Sequence, residues 1–203
     1  MTRHAFGIQF EAGSNNELLV GRCLKILHGF QCRHSINSIG VTFPENSHET
    51  IGAIIAFVSL DQSFLLQLMA QEYYQQMQRL QKFLIHDIVA VPDNVLEVRY
   101  SRDSKRDKQC AGGRQRSIRR GQRIAENAGY QYQPRRNTVV SERQNHFFYN
   151  IPITSSSNCS QVYYLRIQRH IAEDFVCNSY TSYGLGNKTD KRGSVPDRLP
   201  FKK

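Results

Sequence analysis

The side chains best suited to binding a charged ligand are concentrated between residues 99 and 123. Ten basic residues in this window are opposed only by Asp103 and Asp107, so the window carries a net charge of +8, against +10 for the whole chain. The ten are Arg99, Arg102, Lys105, Arg106, Lys108, Arg114, Arg116, Arg119, Arg120 and Arg123. Such a local positive charge predicts a polyanionic partner, and we interpret that partner as RNA.

Within this window, some arginines recur at the spacing of one helix face. The residues at i, i+3, i+4 and i+7 are Arg116, Arg119, Arg120 and Arg123. A helix over residues 114–127 would align these four side chains over two turns. Such a row can bind phosphates, and an arginine can also donate two hydrogen bonds to a guanine edge. The alternative is an ordinary solvated surface helix, but such helices usually mix charges of both signs.

One histidine provides a candidate catalytic group. His28 is predicted to lie in or just past the last turn of a helix that ends near Gly29. An imidazole changes its charge near neutral pH, so it can take a proton from a ribose 2′-hydroxyl, whose oxygen then attacks the adjacent phosphate. The expected products are a 2′,3′-cyclic phosphate and a 5′-hydroxyl, and no metal or other cofactor is predicted. The alternative is a buried or helix-capping histidine.

Composition and cysteine spacing argue against several other classes of protein. No apolar run approaches the roughly 20 residues that a membrane helix needs. The first residues lack the apolar segment of a signal peptide. Five cysteines stand far apart with no Cys-x-x-Cys pair, so neither a zinc site nor a disulfide framework is predicted. We therefore expect reduced thiols and a cytoplasmic protein.

The order of the predicted elements defines the fold class. They are a strand over residues 4–11, a helix that starts after Ser14 or Asn15, strands over residues 38–44 and 51–59, a helix over residues 61–80, and a strand over residues 82–91. This βαββαβ order predicts a ferredoxin-like domain, the fold of RNA-recognition motifs, over residues 1–94. Because unrelated proteins share that fold, it does not by itself decide the function.

The remaining residues, 95–203, predict a smaller α/β domain that carries the arginine-rich helix. Its predicted elements are a short strand over residues 95–100, the helix over residues 114–127 ended by Gly129, and strands over residues 146–153, 161–169 and 175–185. The tail after these strands is predicted to be a loop, ordered in part by Val195 and Phe201. The whole chain is thus predicted to be an α+β protein with two domains.

Several short segments together resemble one known family. They are Lys25-Ile-Leu-His28, Ile39-Gly-Val-Thr-Phe-Pro44, Ser101-Arg102, Ile118-Arg-Arg120, Tyr163-Tyr-Leu-Arg-Ile167 and Ser182-Tyr-Gly-Leu185. In order and spacing they resemble the CRISPR precursor-RNA-processing endoribonuclease of type I-F systems, and most closely the variants that accompany Tn7-like transposons. The resemblance implies a ferredoxin-like N-terminal domain, a C-terminal domain with the arginine helix, and a single cut at the 3′ base of the CRISPR repeat hairpin.

The resemblance also assigns roles to individual residues. His28 matches the catalytic histidine, and Tyr183 matches the tyrosine that orients the active site. The catalytic serine falls at Ser156, with Ser155 next, although from their sequence context alone both serines are turn residues. The candidate RNA-binding residues are Arg102, Ser104 (in place of the family's glutamine), Arg114, Arg116, Arg119, Arg120 and Arg123.

Partners follow from the resemblance as well. It implies binding of the CRISPR repeat RNA hairpin and a stable place in a type I-F Cascade-type complex that keeps the mature crRNA, with a transposition adaptor protein as a further candidate partner and no membrane association. Two alternatives stay open at this point. One is a non-catalytic RNA-hairpin-binding subunit of the same kind of complex. The other is a DNA-binding or ribosomal-type basic protein without hairpin specificity.

Overall fold

The computed structural model describes residues 2–102, 111–133, 148–154, 162–187 and 189–201. For residues 111–116 it describes the backbone alone. The chain divides into two compact units. One comprises Met1–Arg102 with Phe148–Lys203, and the other is Asp103–Phe147. Across the described ranges, no helix has the length and apolar character required to cross a membrane.

The first sheet has the strand order of a ferredoxin-like fold. Its strands are β1 (His4–Phe10), β2 (Gly40–Thr42), β3 (Ile54–Ser59), β4 (Phe83–Ile85) and β5 (Val89–Ala90). The helices between them are α1 (Asn16–His34), α2 (Gln62–Met69) and α3 (Glu72–Arg79). The order across the sheet is β2-β3-β1-β4, and β5 also pairs with β1, with every pair antiparallel. β4 and β5 together form the last strand of the βαββαβ pattern, which confirms the ferredoxin-like prediction.

Two helices stand where a single helix over residues 61–80 is predicted. In an unbroken helix, the side chain of Tyr74 would point about one third of a turn away from the buried side chain of Leu68. The break between α2 and α3 instead brings Tyr74 into the core, where its hydroxyl donates to the carbonyl oxygen of Cys23 at 3.1 Å. The neighbouring Tyr73 is only half-buried.

Helix α1 is longer than predicted, and this changes the place of His28. The side chain of Asn15 caps its start by accepting a backbone hydrogen bond at 3.0 Å. The helix continues through Gly29, buries Phe30, and ends at His34; the next residue, Ser35, has a left-handed φ of 55°. The prediction that Gly29 ends the helix is therefore wrong. His28 lies inside a continuous helix and not at its last turn.

The second sheet is built from the later part of the chain. Its strands are β6 (Glu97–Arg102), β7 (Tyr149–Thr154), β8 (Val162–Ile171) and β9 (Val195–Pro196), in the antiparallel order β7-β8-β6-β9. The first three match predicted strands with shifted bounds. The strand predicted over residues 175–185 is wrong, because backbone bonds there close turns, as from Thr181 N to Leu185 O at 2.7 Å. The fourth strand comes instead from the tail that is predicted to be a loop.

Both sheets contribute to one hydrophobic core. Phe6 of β1 and Leu24 of α1 belong to the same buried cluster as Ile151 of β7 and Ile167 of β8. Helix α1 packs against both the first sheet and β7, so the helix that carries His28 is fixed from two sides. The domain boundary proposed at residue 94 stays a prediction.

The outer face of the first sheet, away from its helices, is covered by the tail. Leu199 and Phe201 pack over Ala5 and Val58. A Cβ on Gly7 would come within 2.8 Å of the Phe201 ring, so this glycine makes room for the aromatic side chain. Strand β1 is therefore covered on both faces along this stretch.

Replacing Gly21 with alanine is expected to lower the free energy of unfolding by about 1–3 kcal/mol. Gly21 lies where α1 approaches β7, and an added Cβ would overlap the carbonyl oxygen of Pro152. Gly29 lies in the same helix, and a Cβ added there would meet no atom within 4 Å. Gly29→Ala is therefore expected to raise the free energy of unfolding by up to about 1 kcal/mol, because alanine favours the helix. Denaturant unfolding of both variants checks this, and shifts of the same sign would contradict the close approach.

Candidate active site and arginine helix

The imidazole of His28 is held by the segment that contains residues 181–185. Its ring stacks on the ring of Tyr183, with the centroids 4.4 Å apart and the planes 6° apart. Its Nδ1 lies 2.8 Å from Ser182 Oγ, which is hydrogen-bond distance. The histidine is half-buried, so its orientation is fixed while part of the side chain stays accessible to solvent.

A glycine turn gives this segment its shape. The backbone N–H of Gly184 donates to the Thr181 carbonyl at 2.8 Å, and Gly184 has a φ of 72°, a conformation that glycine adopts without steric cost. The Gly184 carbonyl in turn accepts from the N–H of Val41 in β2 at 2.9 Å. The turn is thus attached to the ferredoxin-like sheet immediately beside the residue that stacks on His28.

The buried side chain of Gln31 ties the same segment to α1. Its Nε2 donates to the carbonyl oxygens of Thr181 and Ser182, each at 3.2 Å. Its Oε1 accepts from the backbone N–H of Ile39 at 3.3 Å. Because Gln31 lies about one turn after His28, a single helix carries both the histidine and the anchor for the residue that contacts its Nδ1.

Tyr183 supports the histidine and is itself held by a second tyrosine. Its hydroxyl lies 2.9 Å from the hydroxyl of Tyr163 on β8. Burial, and then the hydrogen bond with Tyr163, raise the pKa of Tyr183 well above its ordinary value, although the nearby positive charge of Arg102 opposes this. The phenol therefore keeps its proton at neutral pH.

Cys32 also lies against the histidine. It stands one turn further along α1 and is exposed, with Sγ 3.7 Å from Nδ1 and 3.9 Å from Nε2 of His28. A substituent on this sulfur would therefore occupy space immediately beside the imidazole.

The arginine helix belongs to the second compact unit. This helix, α4 (Ala111–Asn127), starts three residues earlier than predicted and ends as predicted at Gly129, which has a φ of 70°. The N–H of Tyr130 donates to the Ala125 carbonyl at 3.0 Å and completes the helix end. Ala125 is buried, and the absence of a Cβ on Gly121 leaves room for the ring of Tyr132.

The described part of the arginine face is open to solvent. Arg119, Arg120 and Arg123 are all exposed on α4. Among the α4 side chains that are described, Glu126 is the single acidic one, so positive charge dominates this stretch. Exposed guanidinium groups in a row on one helix suit the regularly spaced phosphates of a nucleic acid.

The structure brings some of the predicted site residues together. His28 and Tyr183 are in ring contact, and Arg102, exposed at the end of β6, is close enough for its charge to act on Tyr183. Those that lie outside the described residues are Ser104, Ser155 and Ser156, together with the side chains of Arg114 and Arg116.

Three residues of the site are missed by sequence reasoning. Ser182 and Tyr163 lie within segments that carry the family resemblance, but nothing in their spacing marks them as partners of His28 or Tyr183. Nothing in the sequence marks Gln31 as a site residue. Its role depends on the carbonyl oxygens to which its buried side chain donates, and these are known only from the structure.

Fold and sites together define a ferredoxin-like protein equipped with an exposed cationic helix and a supported histidine. A family model described as CRISPR-associated protein (Cas_Csy4) matches residues 9–197 of the chain. The chain therefore belongs to this family of type I-F CRISPR RNA endoribonucleases, which process and bind CRISPR RNA. Among curated proteins, none matches the chain. The family resemblance is confirmed, whereas the Tn7-associated variant stays a prediction.

Proposed function

We propose that this protein is a metal-independent endoribonuclease that binds the stem-loop of CRISPR repeat RNA and cuts it once at the 3′ base of the hairpin. The observation that carries the proposal is the half-buried imidazole of His28, stacked on Tyr183 and contacted at Nδ1 by Ser182. Nδ1 is thus engaged by Ser182, and Nε2, which has the exposed Cys32 thiol at 3.9 Å, is the nitrogen proposed to meet the substrate. Membership in the CRISPR RNA endoribonuclease family supports the choice of substrate.

The proposed reaction consists of proton transfers around one displacement at phosphorus. His28 takes the proton of the ribose 2′-hydroxyl while the 2′-oxygen attacks the neighbouring phosphorus. The bond from phosphorus to the 5′-oxygen breaks, and that oxygen takes up a proton, which the imidazolium can supply. The products are a 2′,3′-cyclic phosphate and a 5′-hydroxyl. Since an imidazole can perform both proton transfers, the reaction requires no metal ion.

The remaining predicted residues are proposed to place the RNA. Ser156, or Ser155 in its place, holds the reacting ribose or phosphate in line, and Arg102 contacts a base near the cut. The residues proposed to grip the hairpin are Ser104, Arg114, Arg116, Arg119, Arg120 and Arg123. The exposure of the last three on α4 and the proximity of Arg102 to Tyr183 support this assignment.

The product is proposed to stay bound after the cut. A cut at the 3′ base leaves the stem intact, so the arginines that bind the precursor bind the product equally well. A protein of this kind is suited to be a lasting subunit of a type I-F Cascade-type complex in the cytoplasm, with other subunits and a transposition adaptor protein as further proposed partners.

Cleavage of labelled repeat RNA in the presence of EDTA tests the proposed function. One cut at the 3′ base of the hairpin is expected, with a cyclic phosphate on one fragment and a 5′-hydroxyl on the other. Binding without cleavage, with or without added Mg²⁺, would instead identify a non-catalytic hairpin-binding subunit. Equal affinity for the hairpin and for duplex DNA at moderate salt would contradict hairpin specificity.

Replacing Arg119 with alanine is expected to weaken hairpin binding and to reduce the slope of log affinity against log salt by about one. The reason is that one fewer phosphate is neutralised, so about one fewer counterion is released. Arg79→Ala is the matched control, because Arg79 is also exposed on a helix, α3, and its loss changes the net charge equally. An unchanged slope for Arg119→Ala would place this side chain off the RNA.

Alkylation of Cys32 with iodoacetamide is expected to inhibit cleavage, because the added group would lie within about 4 Å of the His28 ring nitrogens. Treated and untreated samples of the parent protein and of Cys32→Ser are compared, so that reaction at other cysteines is accounted for. We expect the parent to lose activity and Cys32→Ser to keep whatever activity it had before treatment. Equal inhibition of both proteins would contradict the placement of this thiol.

A further inference from the structure

We propose that Ser182 is a positioning residue that engages His28 Nδ1 and thereby assigns the proton transfers of the reaction to Nε2. The inference rests on the proposed function, in which His28 is the base. The observation that supports it is the distance of 2.8 Å between Ser182 Oγ and His28 Nδ1. No role for Ser182 follows from the sequence, where it merely precedes Tyr183.

The position of Ser182 is built into the fold. Its carbonyl oxygen accepts from Gln31 Nε2 at 3.2 Å, and Gln31 is only 1% exposed. The next residue is held by its own ring contact with His28 and by its hydroxyl contact with Tyr163. The backbone of Ser182 is thus bonded to α1, the same helix that carries His28, and this bond holds the serine hydroxyl beside the imidazole.

The chemistry of the hydroxyl determines what this contact can do. A neutral imidazole acts as a base at one ring nitrogen only when the other nitrogen carries the proton. A serine oxygen can accept that proton's hydrogen bond, so Ser182 stabilises the form with hydrogen on Nδ1 and a lone pair on Nε2. Once Nε2 has taken a proton from the substrate, both nitrogens are donors, and the Nδ1 donor keeps the same acceptor. The hydroxyl therefore serves the histidine in both protonation states.

A pair of variants that share a shape isolates the hydroxyl. Ser182→Thr keeps the oxygen, whereas Ser182→Val replaces it with a methyl group on an otherwise identical side chain. In single-turnover cleavage with saturating protein, Ser182→Val is expected to be about three- to tenfold slower than Ser182→Thr, the effect of one lost hydrogen bond. The hairpin dissociation constant is expected to be the same for both. Equal cleavage rates for the pair would overturn the inference.

Two further measurements keep the test decisive. If the branched side chains prevent folding, Ser182→Ala, which adds no bulk, is expected to show the same three- to tenfold loss relative to the parent protein. Nitrogen NMR of the parent protein, with His28 assigned by comparison with His28→Gln, is expected to show the Nδ1–H form of the neutral ring. The Nε2–H form alone would overturn the inference.

Failure of the proposed function is distinguishable from failure of this inference. If His28→Ala cleaves as fast as the parent protein, histidine catalysis itself is wrong, whatever Ser182 does. If His28→Ala is inactive and removal of the Ser182 hydroxyl changes nothing, the proposed function stands and the positioning role is wrong.

Discussion

Replacing His28 with alanine is expected to slow single-turnover cleavage of the repeat hairpin by about 10²- to 10⁴-fold, the contribution of a positioned general acid or base. The surroundings of the lost ring should persist, because Gln31 and the Gly184 turn hold the backbone of Ser182 and Tyr183 without help from the histidine. Binding should change little, since the arginines proposed to grip the stem lie on α4. The measurement is the cleavage rate and dissociation constant of the same RNA under the same conditions.

A second histidine on the same helix provides the control. His34 is exposed, and its ring contacts Phe30 with the centroids 4.4 Å apart, on a part of α1 beyond the candidate site. His34→Ala removes the same side chain from the same helix and is expected to cleave at the rate of the parent protein. If His28→Ala stays within about tenfold of the parent rate, below the smallest effect of a general base, the base must be sought elsewhere.

Gly184→Ala is expected to lower the free energy of unfolding by about 2–5 kcal/mol. Holding a non-glycine residue in a left-handed conformation costs about 1–2 kcal/mol, and overpacking of a core adds about 1–3 kcal/mol. Both costs apply here, because Gly184 has a φ of 72° and an added Cβ would lie 2.6 Å from Val41 Cγ2 and 2.8 Å from Leu27 Cδ2. Relief of this clash would move Tyr183 away from His28, so cleavage should slow as well.

Gly13→Ala separates the two costs in the stability measurement. Gly13 also has a positive φ, 79°, but an added Cβ there meets nothing within 4 Å. Only the conformational cost of about 1–2 kcal/mol is expected at this position. Urea unfolding of the two variants should therefore differ by about 1–3 kcal/mol, the packing contribution at Gly184. Equal losses of stability would show that the turn has room for a side chain.

The sequence predicts helices and strands correctly where contacts between residues close in the chain determine them. The strand β1, a helix α1 that starts after Ser14 or Asn15, and the glycine end of α4 at Gly129 are all predicted and all confirmed. These features depend on neighbours within a few residues, such as the bond from Tyr130 N to Ala125 O. They also suffice for the ferredoxin-like strand order, because that order follows from the succession of elements.

The failures occur where distant contacts decide the structure. Residues 175–185 alternate like a strand, but Gln31 and Val41 bind their carbonyl groups from elsewhere in the chain, and the segment forms turns. Gly29 resembles a helix terminator, yet the buried Phe30 that follows continues the packed face of α1. The resemblance already makes Tyr183 the tyrosine that orients the active site of His28, whereas the contacts from Ser182 and Tyr163 become visible only in the folded chain.

The covering of β1 by Leu199 and Phe201 has a consequence for biosynthesis. A ribosome extends the chain by about 5–20 residues per second, so almost 200 residues must be added before the aromatic ring that lies against Gly7 exists. During that interval the sheet face around Ala5 and Val58 is an uncovered apolar surface, even if the ferredoxin-like strands have already paired. The covering of β1 is therefore completed only long after its own synthesis, and until then this strand is exposed to aggregation or chaperone binding.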